Sequence, residues 1–200
     1  GLDDVNAQSV VLAINKMLAS KAFDTSAPRY TRKGKVKMLE TLISDMKSGR
    51  VGALIMDGVN PMYSLPYAAD FKEGLEKTDL SVLFTTNWNE TAEAVQYTAA
   101  SNHYLESWGD IQIKKGYYSL MQPTIKELFD TKQFQTALLG WMGSEISYYD
   151  FIRETWGNSI LNGSSWNQAL QDGVFMAQTM AVDIEGEMVS VEEEKEILSS

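Results

Sequence analysis

The stretch that decides the fold runs from Val51 to Pro61 and reads VGALIMDGVNP. Its first six residues form an uninterrupted apolar run, which is typical of a strand buried on both faces in a parallel sheet. The next five, from Asp57, are residues that end such a strand in a loop. A second apolar strand is predicted over 80–85, and helical spacing is evident between the two strands, over 67–75. This order predicts an α/β fold with an open, mainly parallel sheet and helices on both faces.

The segments around this core extend the prediction along the chain. A short helix near 90–94 leads to a third strand at 97–100, and a hairpin is predicted around Lys114-Lys115-Gly116. Further on, Ser165 is predicted to open a last helix through a capping box with Gln168, and Gly173 to end it. We therefore expect leading helices packed on the domain (1–50), an α/β nucleotide-binding-type core (51–125), a C-terminal helical extension (126–182) and an acidic tail (183–200).

Composition excludes several classes of function. The 200 residues include no cysteine, so the chain cannot itself supply thiolates to an iron–sulfur cluster or a zinc site, or form a disulfide. The net charge is −10, and the stretch from Asp183 to Glu196, with seven acidic residues and one lysine, supplies −6 of it. A nucleic-acid partner is not expected, because a binding face needs an excess of Lys and Arg.

The ends and the apolar runs bear on membrane targeting. No apolar run approaches the roughly 20 residues that a membrane-spanning helix needs, so no direct membrane insertion is expected. The opening residues, Gly1 to Asp4, have neither the basic flank nor the apolar core of a signal peptide. We expect the chain to be a piece of a larger protein.

Two loops are candidate ligand sites, because ligands of open α/β sheets bind beyond the carboxyl ends of the strands. In the first loop, Gly58 would let the backbone approach a phosphate, with Asn60 and Pro61 beside it; a simple tight turn is the alternative. The second loop carries side-chain donors and acceptors suited to nucleoside recognition. These are Thr85, Thr86 and Asn87. Capping of the following helix by Asn89 or Thr91 is the alternative for this loop, and both roles are compatible.

Other polar or aromatic residues are better explained by structure than by catalysis. His103 has Glu106 nearby, but no nucleophile motif or metal-ligand spacing accompanies it, so a hydrogen-bonded structural histidine is expected. A basic run is expected to be a solvated face, although it could neutralise a phosphate or an acidic neighbour; it comprises Arg29, Arg32, Lys33, Lys35 and Lys37. Four aromatic residues at helical spacing are expected in the core: Trp141, Tyr148, Tyr149 and Trp156. No catalytic residue and no metal ligand is identified.

Taken together, these stretches resemble a known family. Residues 51–61, with Ser64-Leu65-Pro66 after them, look like the third domain of the molybdopterin oxidoreductases, as does the segment from Phe84 to Ala92. The segment HYLESWGD, from His103 to Asp110, is similar to the molybdopterin-like, iron–sulfur-binding subunits of bacterial alternative complex III, which are parts of membrane-associated quinol oxidoreductases. Later stretches at 148–150 and 169–174 also fit those subunits.

The resemblance implies a Rossmann-like domain and a place for a cofactor. In the molybdopterin enzymes this domain cradles one guanine-dinucleotide half of the cofactor, and the matching positions here are Gly58, Asn60, Pro61, Thr85, Thr86 and Asn87. The metal ligand of those enzymes lies in another domain. The alternative complex III subunits resemble them in fold but have lost the cofactor, and carry their iron–sulfur clusters in a separate ferredoxin-like domain. Here Thr85 or Thr86 replaces the Asp that many family members place near the second strand end.

What the resemblance implies for function is a scaffold. The chain would be a fragment of an iron–sulfur subunit of a quinol-oxidising complex at the periplasmic face of the bacterial inner membrane. It would hold no redox centre of its own and would contact other domains and subunits. The alternative is the cofactor-cradling domain of an active molybdopterin guanine dinucleotide oxidoreductase. A stand-alone nucleotide-binding hydrolase is disfavoured by the missing catalytic residues.

Overall fold

A computed structural model describes residues 4–22, 28–30 and 34–177. Its α-helices are Val5–Met17 (α1), Val36–Lys47 (α2), Pro61–Ser64 (α3), Ala68–Glu76 (α4), Glu90–Ala94 (α5), Phe134–Trp141 (α6), Tyr148–Ser159 (α7) and Trp166–Asp172 (α8). Its strands are Ala53–Asp57 (β1), Leu80–Thr85 (β2), Tyr97–Ala100 (β3), Gly109–Lys114 (β4), Tyr117–Met121 (β5) and Val174–Met176 (β6). A 3₁₀ turn, Tyr104–Glu106, precedes β4.

The first three strands form the predicted parallel sheet, in the order β1-β2-β3. β1 begins two residues later than its apolar run and ends on Asp57, because the pairing with β2 starts at Ala53 opposite Leu80. All strands run in the same direction, so Asp57, Thr85 and Ala100 end at one edge of the sheet. The loops that follow them therefore meet there.

Helices cover both faces of this sheet, as predicted. On one face Leu83 and Met56 pack with Met46 of α2 and Phe71 of α4 in one buried cluster. On the other face Phe84 lies edge-on to Phe134 of α6, with ring centroids 5.1 Å apart. The continuous burial of β2 from Ser81 to Phe84 is explained by this double coverage, since alternate residues enter different cores.

A second, antiparallel sheet follows, in the order β4-β5-β6. The predicted hairpin is confirmed: β4 and β5 are joined through Gly116, whose φ of +76° a glycine adopts without strain. Strand β6 was not predicted; it directly follows Gly173, which ends α8 in the left-handed conformation as expected. Tyr118 of β5 pairs with Phe175 of β6.

Trp156 of α7 is the centre of the core that packs on the antiparallel sheet. Its side chain is fully buried, and its indole Nε1 donates a hydrogen bond of 2.8 Å to Asp110 Oδ2 on β4. The rings of Tyr118, Trp166 and Phe175 surround it at centroid distances of 5.9, 5.8 and 6.3 Å. Of the four aromatic residues expected in the core only Trp156 is buried; Trp141 is 57% exposed although its edge meets Phe84.

The capping prediction at α8 is correct for one of its two hydrogen bonds. Ser165 Oγ accepts from the Gln168 amide at 3.4 Å, as expected of an N-cap. The Gln168 side chain does not return to Ser165, because its Nε2 donates to Asp172 Oδ1 one turn further on. The reciprocal bond of a capping box is therefore missing here.

Helix α1, near the beginning of the described residues, lies outside these cores. Against the described part of the protein, none of the side chains of α1 is buried, and its apolar stripe, which includes Val10, Ile14 and Met17, is exposed. The acidic tail predicted over 183–200 lies outside the described residues. None of the helices in the described segments is long and apolar enough to cross a membrane. The division into four parts remains a prediction.

Two glycine substitutions are predicted to have opposite effects on stability, one at the contact between α2 and α4 and one in α7. A Cβ at Gly74 would lie 2.8 Å from Met46 Cβ, a fully buried residue, so Gly74→Ala should destabilise the protein by about 1–3 kcal/mol through overpacking. Gly157 in α7 has no described atom within 4 Å of an added Cβ, so Gly157→Ala should stabilise by about 0.5–1 kcal/mol through helix propensity. Denaturant unfolding of both variants measures this. An unchanged or raised midpoint for Gly74→Ala would contradict the close approach of the two helices.

Candidate functional site

A cavity of about 320 Å³ lies at the edge where the parallel strands end, and is called here the strand-end cavity. Five of the six predicted site residues line it: Gly58, Asn60, Thr85, Thr86 and Asn87. Pro61 is not in its lining; it is buried as the first residue of α3. Asp57, Ser101 and Asn102 complete the polar wall together with Asn89. The structure thus brings both predicted loops to one place.

Gly58 turns the chain away from β1. Its φ is +62°, in the left-handed region that glycine adopts readily, and its amide donates to the Phe84 carbonyl at 2.9 Å. An ideal Cβ at this position would meet no described atom within 4 Å. The glycine is therefore required by the backbone conformation rather than by a crowded neighbour.

Asn60 joins the two loops. Its Oδ1 accepts from the hydroxyl of Thr91 at 2.7 Å and from the Thr91 amide at 3.3 Å, while its Nδ2 donates to Glu90 Oε2 at 2.7 Å. Thr91 is fully buried, and its hydroxyl also accepts from the Met62 amide. This side-chain bridge fixes the first loop to the start of α5. Sequence reasoning named Asn60 but could not pair it with a residue 31 positions away.

The second loop is engaged in capping. Asn89 Oδ1 accepts from the Thr91 and Ala92 amides at 3.1 and 3.0 Å and so caps α5, which confirms the alternative role of this segment. Thr85 Oγ1 donates to the Asn87 carbonyl at 2.9 Å within its own turn. The amides of Thr91 and Ala92, in the first turn of α5, are thus already bonded to the side chains of Asn60 and Asn89.

The electrostatics of the strand-end cavity favour cations over anions. No described lining residue is a lysine or arginine. Burial raises the pKa of the Asp57 carboxyl above its usual value. The hydrogen bond from Asn60 lowers the pKa of Glu90, which is exposed beside the cavity. At neutral pH these carboxylates oppose a phosphate group rather than attract it.

A larger cavity adjoins the first and was not predicted. It has a volume of about 470 Å³, lies between the strand ends and the β4-β5 hairpin, and is called here the hairpin cavity. Asp57, Ser101 and Asn102 line both cavities. The aromatic residues of its wall are Tyr104, Trp108, Phe134 and Tyr148. Ser101 Oγ and Asn102 Oδ1 are buried and have no hydrogen-bond partner in the described structure.

His103 has the structural role that was expected of it. Its Nδ1 accepts from the Leu105 amide at 3.3 Å, and its own amide donates to Glu106 Oε2 at 2.9 Å, so the pair forms a capping box on the 3₁₀ turn. Glu106 is buried and also accepts from the Leu128 amide. No group of three or more metal-ligating side chains occurs in the segments that the structure describes.

The basic run does not reach either cavity within the described residues. Arg29 pairs as an isolated bridge with Lys114 at the edge of β4, and Lys35 is the N-cap residue of α2. Neither Arg29, Lys35 nor Lys37 lines either cavity. Arg32 and Lys33 lie outside the described residues.

One known protein is similar to this chain in sequence and another is similar in fold. The chain is 27% identical over 143 residues to the menaquinone reductase, molybdopterin-binding-like subunit of Nitratidesulfovibrio vulgaris strain Hildenborough; the match covers 68% of this chain and 21% of that one. In fold it is similar to acetylene hydratase from Pelobacter acetylenicus, with a TM-score of 0.54 and 18% identity, over 70% of this chain and 20% of that one. No family model matches. The chain resembles the molybdopterin oxidoreductase family, as its sequence indicated, and spans about a fifth of the length of each of these two relatives.

The bridge through Asn60 predicts a specific loss of stability. Asn60→Ala would remove the acceptor of the buried Thr91 hydroxyl and one of the two acceptors of the Thr91 amide, and should lower the free energy of unfolding by about 1–3 kcal/mol. Asn87→Ala is the matched control in the same cavity, since its exposed side chain makes only a 3.4 Å contact with Thr86, and should change stability by less than about 0.5 kcal/mol. Urea titration of both variants makes the comparison. Equal effects would show that the bridge does not stabilise the loops.

Backbone strain alone should determine how substitutions at Gly58 change the stability of the protein. Gly58→Ala should cost about 1 kcal/mol or more, because φ is +62° and no neighbour obstructs the methyl group. Gly58→Asn should cost less, since asparagine tolerates the left-handed region. Gly34→Ala, at another glycine with open space, is the control and should be nearly neutral. Thermal unfolding of the three variants would contradict this account if alanine and asparagine were equivalent at position 58.

Proposed function

We propose that the chain is a domain of a molybdopterin-oxidoreductase-like subunit in a membrane-associated electron-transfer complex that reacts with a quinone or quinol. In this role the domain is a scaffold without a redox centre of its own. The named relative supports the assignment, since it is a molybdopterin-binding-like subunit of a menaquinone reductase. The observation that carries the scaffold role is the bridge from Asn60 to Glu90 and Thr91.

The residues of the strand-end cavity do not fit the pyrophosphate of a molybdopterin guanine dinucleotide. Phosphate binding at the carboxyl edge of such a sheet relies on free amides at a helix start, usually with a positive charge nearby. Here the Thr91 and Ala92 amides of the first turn of α5 donate to Asn60 and Asn89, and the described lining carries Asp57 without a lysine or arginine. The loop retains the shape of a nucleotide site while its polar groups are used to hold the domain together.

The finer parts of the proposal follow the resemblance. The iron–sulfur clusters of the complex are proposed to lie elsewhere in the parent protein, which agrees with the absence of cysteine from these 200 residues. The parent subunit is proposed to be of the alternative complex III type and to work at the periplasmic face of the bacterial inner membrane. Its partners are the other domains of the parent chain and neighbouring subunits.

A second candidate is the cofactor-cradling domain of an active molybdopterin enzyme. One observation favours it: five predicted residues from two loops surround one cavity at the carboxyl edge, with Gly58 in the left-handed conformation. The two candidates differ in whether the intact parent protein contains a pterin dinucleotide.

Analysis of the purified complex separates the two candidates. The scaffold role predicts no stoichiometric pterin or molybdenum in the parent protein, and no iron bound by the 200-residue chain alone. It also predicts that Gly58→Ala, once the protein has folded, leaves quinone-linked electron transfer at the wild-type rate. Pterin fluorescence after oxidation and metal analysis give the first result, and a quinone reduction assay gives the second. One pterin dinucleotide per parent chain, lost in Gly58→Ala, would establish the second candidate instead.

A further inference from the structure

We propose that the hairpin cavity binds a guanidinium group, which lies among Asp57, Asp110 and Asn102 and stacks on the aromatic wall. The group would come from the arginine side chain of another domain or subunit, or from a small guanidine-containing molecule. This inference rests on the proposed scaffold role, since it gives the carboxyl edge of the sheet a cationic occupant in place of a nucleotide.

The hairpin cavity contains hydrogen-bond acceptors that lack a donor within the described structure. Asp110 Oδ2 already accepts from the Trp156 indole at 2.8 Å, which fixes the carboxylate and leaves its second oxygen for another donor. Asn102 Oδ1 is buried and has no partner in the described structure, while its amide nitrogen donates to Glu127 at 3.4 Å. Unmet acceptors of this kind are costly to bury, so a ligand rich in N–H groups would satisfy them.

The charge of the cavity selects a cation. Asp57 and Asp110 both line it, and the described lining contains no lysine or arginine. The described ion pairs join Lys47, Lys77 and Arg50 to carboxylates of α2 and α4, and none includes Asp57 or Asp110. Burial, and to a smaller extent the nearby charge of Asp110, raises the pKa of the Tyr148 hydroxyl. Additional negative charge in this cavity is therefore unfavourable.

The shape and chemistry of the wall favour a planar cation over a metal ion or an ammonium group. No set of three metal-ligating side chains was found in the described segments. The wall presents the rings of Tyr104, Trp108, Phe134 and Tyr148. A guanidinium stacks on aromatic faces and presents five N–H donors in its plane, which matches acceptors spread over three residues better than the compact ammonium of lysine does.

The test uses the 200-residue chain and four probes. The probes are blocked arginine (N-acetyl-arginine-N′-methylamide), free L-arginine, the corresponding blocked lysine and inorganic pyrophosphate. Each is titrated into the protein, and NMR follows the amide signals of Gly109 and Ser119 and the indole signal of Trp108. We expect saturable shifts with an arginine probe, binding at least about fivefold weaker for blocked lysine, and none at these signals for pyrophosphate. If blocked arginine binds more tightly than free arginine, the guanidinium comes from a protein side chain. If free arginine binds more tightly, it comes from a small molecule. Either result supports the proposal.

Variants that replace one carboxylate by a neutral amide test where the guanidinium group binds. Asp57→Asn should weaken the arginine probe at least about tenfold, and Asp110→Asn should do the same while still offering an oxygen to Trp156. Asp79→Asn is the control, because Asp79 is an exposed carboxylate before β2, at the opposite edge of the sheet. Absence of a saturable arginine response, or a response equal in Asp57→Asn and wild type, overturns the proposal. Neither result depends on the pterin content of the parent protein, which is what tests the scaffold role.

Discussion

The structure depends on the burial of β2 on both of its faces. Leu83 enters the core formed by α2 and α4, and Phe84 enters the core under α6, so neither side of the strand can face water. A strand buried in this way has to be central, with β1 and β3 paired on its two edges in the same direction. The carboxyl ends of the three strands then meet at one edge, and five of the six candidate site residues line the cavity there.

At this edge the protein uses its polar residues for internal cohesion. Asn60 and Asn89 accept hydrogen bonds from the Thr91 and Ala92 amides of α5, and Asn60 also donates to Glu90. Two of the amides that a ligand at this edge could use are therefore already bonded within the protein.

The second sheet adds a wall that changes the chemistry of the edge. The β4-β5 hairpin packs on Trp156, and the Trp156 indole holds Asp110 at the rim of the hairpin cavity. Asp57 comes to the same cavity from the end of β1. Two carboxylates from separate sheets therefore line one space, together with aromatic rings, and its character is acidic and aromatic rather than phosphate-binding.

Local sequence determined the parallel strands, the hairpin, the end of α8 at Gly173 and the turn at Gly58, because apolar periodicity and glycine conformation are properties of short segments. It also placed the two candidate loops at one edge, since parallel strands share their direction. Only the tertiary structure decided that Asn60 binds Thr91, that Gln168 turns to Asp172 instead of Ser165, and that a third strand joins the hairpin. Each of these is a choice among several partners of similar chemistry, and that choice depends on which residues packing brings within hydrogen-bond distance.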